Sequence, residues 1–108
     1  MKIQFLQTAE PGLRWMRYYY RINPQLDVKK AFENYKNTKD RIRNSPPPRE
    51  TYEDFESVWE VSIQRTHFSI LYTVRANTVF IIDIRDQRGN RSAPALRKFT
   101  TELKNKYE

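Results

Sequence analysis

An α+β fold is predicted, in the order β-α-α-β-β-β-α: a twisted antiparallel sheet of about four strands, packed by an N-terminal helical hairpin and followed by a C-terminal helix. Three observations predict it. The stretch His67 to Ser92, HFSILYTVRANTVFIIDIRDQRGNRS, alternates Phe68, Ile70, Tyr72 and Val74 with Ser69, Leu71 and Thr73, breaks briefly, and resumes with Phe80, Ile82 and Ile84 on one face. Period-two patterning in β-branched residues reads as two strands joined tightly, hence as antiparallel neighbours. Upstream, two segments separated by Asn23-Pro24 carry apolar residues at helical spacing. Consecutive prolines at 46–48 then divide the helical part from the strands, because they supply no backbone donors.

In chain order, Lys2 to Leu6 alternates Ile3 and Phe5 with polar neighbours and reads as a short strand. Thr8 is the expected N-cap of the first helix, with Pro11 where an early turn tolerates a missing N–H. Leu13, Met16 and Tyr20 form its inner side with Trp15 and Tyr19 adjoining, while Arg14, Arg17 and Arg21 fall outside. Proline 24 pushes the residue before it out of the α region and ends this helix. A longer helix is expected from Gln25 to Arg43, burying Leu26, Ala31, Phe32, Tyr35 and Ile42 beneath a basic outer face. Trp59, Val61 and Ile63 mark the next strand, and Gln64-Arg65-Thr66 turns the chain into the hairpin. One apolar sheet face follows, made of Phe5, Trp59, Val61, Ile63, Phe68, Ile70, Tyr72, Phe80, Ile82 and Ile84, with the helices as its cover. After Gly89, Ser92 and Pro94 open a last helix whose stripe is Leu96, Phe99, Leu103 and Tyr107.

The chain of 108 residues is of a size for one domain, 1–108, with a single core. With 38% hydrophobic and 14% aromatic residues it is too apolar to be disordered. No apolar run approaches the roughly 20 residues that cross a bilayer, and no signal-peptide pattern opens the chain, so a cytoplasmic protein without membrane contact is expected. The lack of cysteine excludes disulfides and thiolate metal sites, and a lone histidine argues against a zinc site. Gly12 and Gly89 are the only glycines, so there is no glycine-rich phosphate loop, and no cofactor is expected. The net charge of +7 is uneven: residues 1–50 carry eleven basic and five acidic side chains, residues 51–108 nine and eight. Such an excess favours a polyanion or an acidic protein as partner.

The chemistry concentrates where the last strand ends. Arg85, Arg88 and Arg91 lie within seven residues, a fan of guanidinium groups at one rim of an apolar hairpin, and Arg65 in the preceding turn adds to the basic surface. Asp83 and Asp86 are placed to pair with these arginines. His67 stands at the start of the third strand, whose end is adjacent to the end of the fourth, so a His67–Arg85 pair is geometrically available. Its ordinary pKa suits proton transfer, which arginine performs badly, but a lone histidine at a strand end is more often structural. Glu53, Asp54, Glu56 and Glu60 read as solvent-facing charge balance rather than as an acid–base pair.

The order of elements resembles the RelE/ParE superfamily of bacterial toxins. Three stretches carry the likeness: YYYRINPQ running into a long basic helix that ends RIRNSPPP, the strand pair WEVSIQRTHFSILYTV, and IIDIRDQRGNRS at the strand end. The resemblance covers nearly the whole chain. It implies the toxin of a type II toxin–antitoxin pair, held as a hetero-oligomer by a cognate antitoxin that wraps its helices and sheet. Two activities remain open. ParE-like toxins act on DNA gyrase, whereas RelE-like toxins cut mRNA on the ribosome without metal. Under the second, Arg91-Ser92 matches the family's basic-serine step, and the candidate catalytic residues are His67, Arg85, Arg88 and Arg91. The chain departs from that pattern at Ser69, where a basic residue is expected, and at Ala93-Pro94-Ala95, where a tyrosine is expected. With those groups missing, gyrase is the first target, reached through Arg65, Arg85, Arg88 and Arg91. The mRNA endonuclease is the alternative, and a non-toxic relic that only binds antitoxin is a third.

Overall fold

The computed structural model describes residues 1–45, 47–48, 51–53 and 55–89. Its elements are β1 (Lys2–Phe5), a 3-10 turn (Gln7–Ala9), α1 (Glu10–Ile22), α2 (Val28–Asn44), β2 (Trp59–Ser62), β3 (Phe68–Arg75) and β4 (Thr78–Asp86). They form an α+β arrangement with a four-stranded sheet in the order β1-β4-β3-β2. The expected C-terminal helix, with Ser92, Pro94 and the stripe from Leu96 to Tyr107, lies outside the described residues.

The sheet is mixed rather than antiparallel. β2, β3 and β4 alternate in direction, but β1 runs parallel to β4. Strands joined by tight turns have no choice of direction; β1 is separated from the others by the helical hairpin, so local pattern leaves its direction open.

A β-bulge corrects the expected apolar face. Ser69, Ile70 and Leu71 stand opposite Arg85, Ile84 and Asp83, but Tyr72 and Thr73 stand opposite Ile81 and Phe80. Ile82 is the extra residue, and one extra residue inverts the parity of everything before it. Val79 and Ile81 therefore join Ile84, Phe68, Ile70, Tyr72 and Ile63 in the cluster beneath the helices, with Trp59 and Val61 packed against it. Ile82 instead packs with Leu71, Tyr52 and Val58 on the other side of the sheet. Phe80, opposite Thr73, shares that far side and is buried. Phe5, on the edge strand, is 38% exposed and belongs to neither cluster.

The bulge also explains Thr8. Its hydroxyl donates to the Ile82 carbonyl at 2.6 Å, and the Leu6 amide donates to the Ile81 carbonyl at 3.0 Å. Thr8 thus satisfies the bulged strand instead of capping α1, whose N-cap is Ala9 with no side-chain hydrogen bond. Pro11 does fall in the first turn, and Met16 and Tyr20 are buried while Arg14, Arg17 and Arg21 are exposed. α1 lies close on β4 at Gly12, where an added Cβ would come within 2.1 Å of the Ile84 carbonyl oxygen.

α2 starts at Val28, later than expected, because Asp27 caps it by accepting from the Lys30 amide at 3.0 Å. Leu26 is consequently left on the connection, 38% exposed, and is not part of the buried stripe. That stripe is Ala31, Asn34, Tyr35, Thr38 and Ile42, with Phe32 half-buried beside it. No helix among the described residues is long and apolar enough to cross a membrane.

Candidate functional site

Successive side chains of a strand point to opposite sides of the sheet, and this divides the arginine fan. Arg85 faces Ser69 across the ladder, and Asp86 faces Phe68 on the helix-covered side. The expected rim of guanidinium groups is thereby resolved into two clusters with different partners. Arg91 lies outside the described residues.

On the far side, Glu60 organises the cluster. Its Oε2 accepts from the Ser69 hydroxyl at 2.6 Å and from Arg85 Nη1 at 2.8 Å. The Arg85 guanidinium also lies over the Tyr52 ring, 5.6 Å from its centre. The Arg85 side chain keeps only 19% of its exposure and that of Glu60 25%. Burial alone would lower the Arg85 pKa, but the hydrogen bond and charge of Glu60 outweigh it and raise the value. Two expectations are corrected here: Arg85 is not a free surface cation, and Glu60 is not solvent-facing charge balance. Ser69, standing where the resemblance calls for a basic residue, fits because its hydroxyl donates to the same glutamate oxygen as Arg85.

On the helix side, Asp86 is the hub. It accepts from Trp15 Nε1 at 2.9 Å, from the Arg88 amide at 3.0 Å, and from Arg88 Nε and Nη2 at 3.1 Å each. Burial pushes its carboxyl up, yet the hydrogen bonds from Arg88 and Trp15 hold it well below the usual carboxylate range. Arg88 then covers the Tyr19 ring, 4.8 Å from its centre, and His67 meets the same ring edge-on at 4.5 Å.

His67 belongs to this second cluster and not to Arg85, so the His67–Arg85 pair that adjacent strand ends make available does not form. Alternation is again the reason: Arg85 and Arg88 approach the sheet from opposite sides. His67 Nε2 is buried and makes no hydrogen bond to any described residue; the nearest carboxylate oxygen, of Asp86, is 3.8 Å away. Burial and the neighbouring Arg88 charge lower its pKa, and Asp86 opposes them only in part. The imidazole is therefore neutral near neutrality, so its approach to Asp86 is not an ion pair there.

Arg65 lies apart from both clusters, in the β2–β3 turn, exposed and in the left-handed region with φ 62°. Residue-by-residue reading missed Trp15, Tyr19, Tyr52, Glu60 and Ser69 as members of these clusters. Trp15 and Tyr19, four apart on one helix, carried a usable signal, whereas the Glu60–Ser69–Arg85 contact depends on three strands being in register.

The chain matches no protein-family model, no curated protein and no solved structure.

Proposed function

We propose that this chain is the toxin of a type II toxin–antitoxin pair that acts by gripping DNA gyrase, and that an acidic antitoxin neutralises it. The observation that carries the choice of a binder over a cleaver is the condition of His67. A general base must reach the proton it removes, but Nε2 of this histidine is buried against Asp86. Both described arginines of the strand end are matched by carboxylates, Arg85 by Glu60 and Arg88 by Asp86. Such a surface offers shape and half-neutralised guanidinium groups to an acidic protein more readily than free cations to a phosphate. The resemblance in sequence, the order of elements from β1 to β4 and the charge of +7 support membership in the toxin class.

Expression of the chain alone should arrest bacterial growth, and co-expression with a small acidic protein from the adjacent reading frame should restore it. Purified protein should then block supercoiling by gyrase while leaving mRNA on translating ribosomes intact. Codon-phased mRNA cuts with unaffected gyrase would overturn the gyrase reading. A soluble protein that leaves growth untouched would overturn the toxin reading in favour of an antitoxin-binding relic. Arg85→Ala and Arg88→Ala are poor probes in these assays, because they strip Glu60 and Asp86 of their partners; Arg65 is the better position.

One observation favours the endonuclease as the second reading. Tyr19, His67 and Arg88 bring a phenol, a neutral imidazole and a guanidinium into contact, which are the group types that metal-free RNA cleavage employs.

A further inference from the structure

Between the second half of α1, the connection into α2 and the β2–β3 turn lies an open cleft of about 420 Å³ that neither arginine cluster fills. A cavity of this volume suits a small molecule; pockets that hold one are mostly apolar, with a few fixed polar groups. Its walls include Tyr19, Tyr20, Leu26 and His67, together with the cations Lys30 and Arg65.

The cleft is held open before any ligand arrives. Tyr20 is buried and meets Phe32 edge-on at 6.0 Å. Tyr19 is fixed between His67 and Arg88. Across the gap, Asn34 Nδ2 donates to the Gln64 carbonyl at 3.0 Å and ties the turn to α2. The Thr66 hydroxyl donates to the Ile63 carbonyl at 2.8 Å and accepts from the Phe68 amide at 3.0 Å, which closes the turn.

The charges in the lining select a ligand. Arg65 is exposed and makes no ion pair with any described residue. Lys30 has only a loose, exposed approach to Glu33 at 3.8 Å. Asp27 is the one carboxylate lining the cleft, and it is occupied by the Lys30 amide. Among the residues that line the cleft, two cations against one carboxylate leave a single positive charge, suited to a monoanion. The apolar part of the lining supplies the second criterion. Leu26 is 38% exposed and lines the cleft together with two phenol rings, so a flat ring seated on it would cover apolar surface now in water.

We propose that this cleft binds a small aromatic monocarboxylate, its carboxylate on Arg65 and Lys30 and its ring against Leu26 and Tyr20. The site lies apart from the Arg85–Glu60 side of the sheet and does not rest on the toxin reading. An aromatic carboxylate meets both the cationic and the apolar lining, whereas acetate lacks the ring and indole the charge.

The test is titration of the isotopically labelled full chain, followed by amide resonances, with indole-3-acetate and phenylacetate as probes. Both should shift Leu26, Thr66 and His67 in a saturable way with Kd below about 1 mM, the range open to a ligand of this size. Acetate and indole should bind at least about tenfold more weakly. Arg65→Gln and, independently, Lys30→Gln should each weaken indole-3-acetate by roughly tenfold with the amide spectrum otherwise preserved, as loss of one charged contact predicts. Arg14→Gln, on the exposed face of α1, should leave affinity unchanged. The proposal is overturned by unsaturated shifts at the solubility limit, by shifts that map elsewhere, or by affinity unchanged from the native chain in both cleft variants.

Discussion

His67 is the residue whose surroundings make the sharpest demand. Its pKa is lowered by burial and by Arg88, so as pH falls the unfolded chain takes up the proton before the folded one does. The stability this represents is present above the ordinary histidine value of 6.5 and is lost as pH falls through the folded value. Asp86 is also lowered, but its contribution is present above 3.8 and disappears only in stronger acid, so the two windows separate. Chemical denaturation between about pH 7.5 and 5 should show falling stability for the native chain and a flatter profile for His67→Gln. An unchanged slope in the variant would show that other groups carry the loss. Adjacency of the strand ends makes a pair with Arg85 available to this histidine, but it does not form because neighbouring positions on β4 face opposite ways.

At the scale of elements, the β3–β4 hairpin is held by Ala76 and Asn77, both in the left-handed region at φ 50° and 56°. A two-residue loop with positive φ at both positions matches the right-handed twist of the strands it joins, and Asn-Gly is the favoured occupant. Alanine at the first position carries the steric cost of its Cβ. Replacing the pair by Ala76→Asn with Asn77→Gly should therefore raise stability by about 0.5–2 kcal/mol. The check is a higher denaturant midpoint at unchanged slope, since the surface exposed on unfolding is the same. The hairpin itself was legible from alternation on both sides of Arg75-Ala76-Asn77. The bulge at Ile82 was not: Phe80 to Ile84 is apolar at every position but one, so either parity places large side chains on both faces. Thr8 and Ile82 solve that ambiguity together, and they are far apart in the chain.

For the molecule as a whole, the docking of α1 on the sheet turns on Gly12. A Cβ there would meet the Ile84 carbonyl oxygen at 2.1 Å and Asp83 Oδ1 at 2.7 Å. The first is backbone in a central strand and has nowhere to go. Gly12→Ala should thus destabilise by about 1–3 kcal/mol through overpacking, despite the gain of about 1 kcal/mol that alanine brings to a helix interior. Gly89→Ala is the control, with nothing within 4 Å of its Cβ and an expected change under about 0.5 kcal/mol. Comparable losses at both positions would show that the close approach of α1 to β4 is not what holds the layers together.

Local pattern alone determined that two helices precede three strands, that β3 and β4 pair as a hairpin, and that Met16, Tyr20, Tyr35, Phe68 and Ile70 belong to the core. Each of these rests on a period or a turn contained within some twenty residues of chain. The direction of β1, the face taken by Phe80 and Ile82, the partners of Arg85 and His67, and the cleft between Lys30 and Arg65 were decided by tertiary structure. They share one physical cause. Each depends on groups from distant segments competing for the same space or the same hydrogen bond, as Thr8 does for the Ile82 carbonyl and Glu60 for Arg85. A period in the sequence says which way a side chain points relative to its neighbours; only the packed chain says what it meets there.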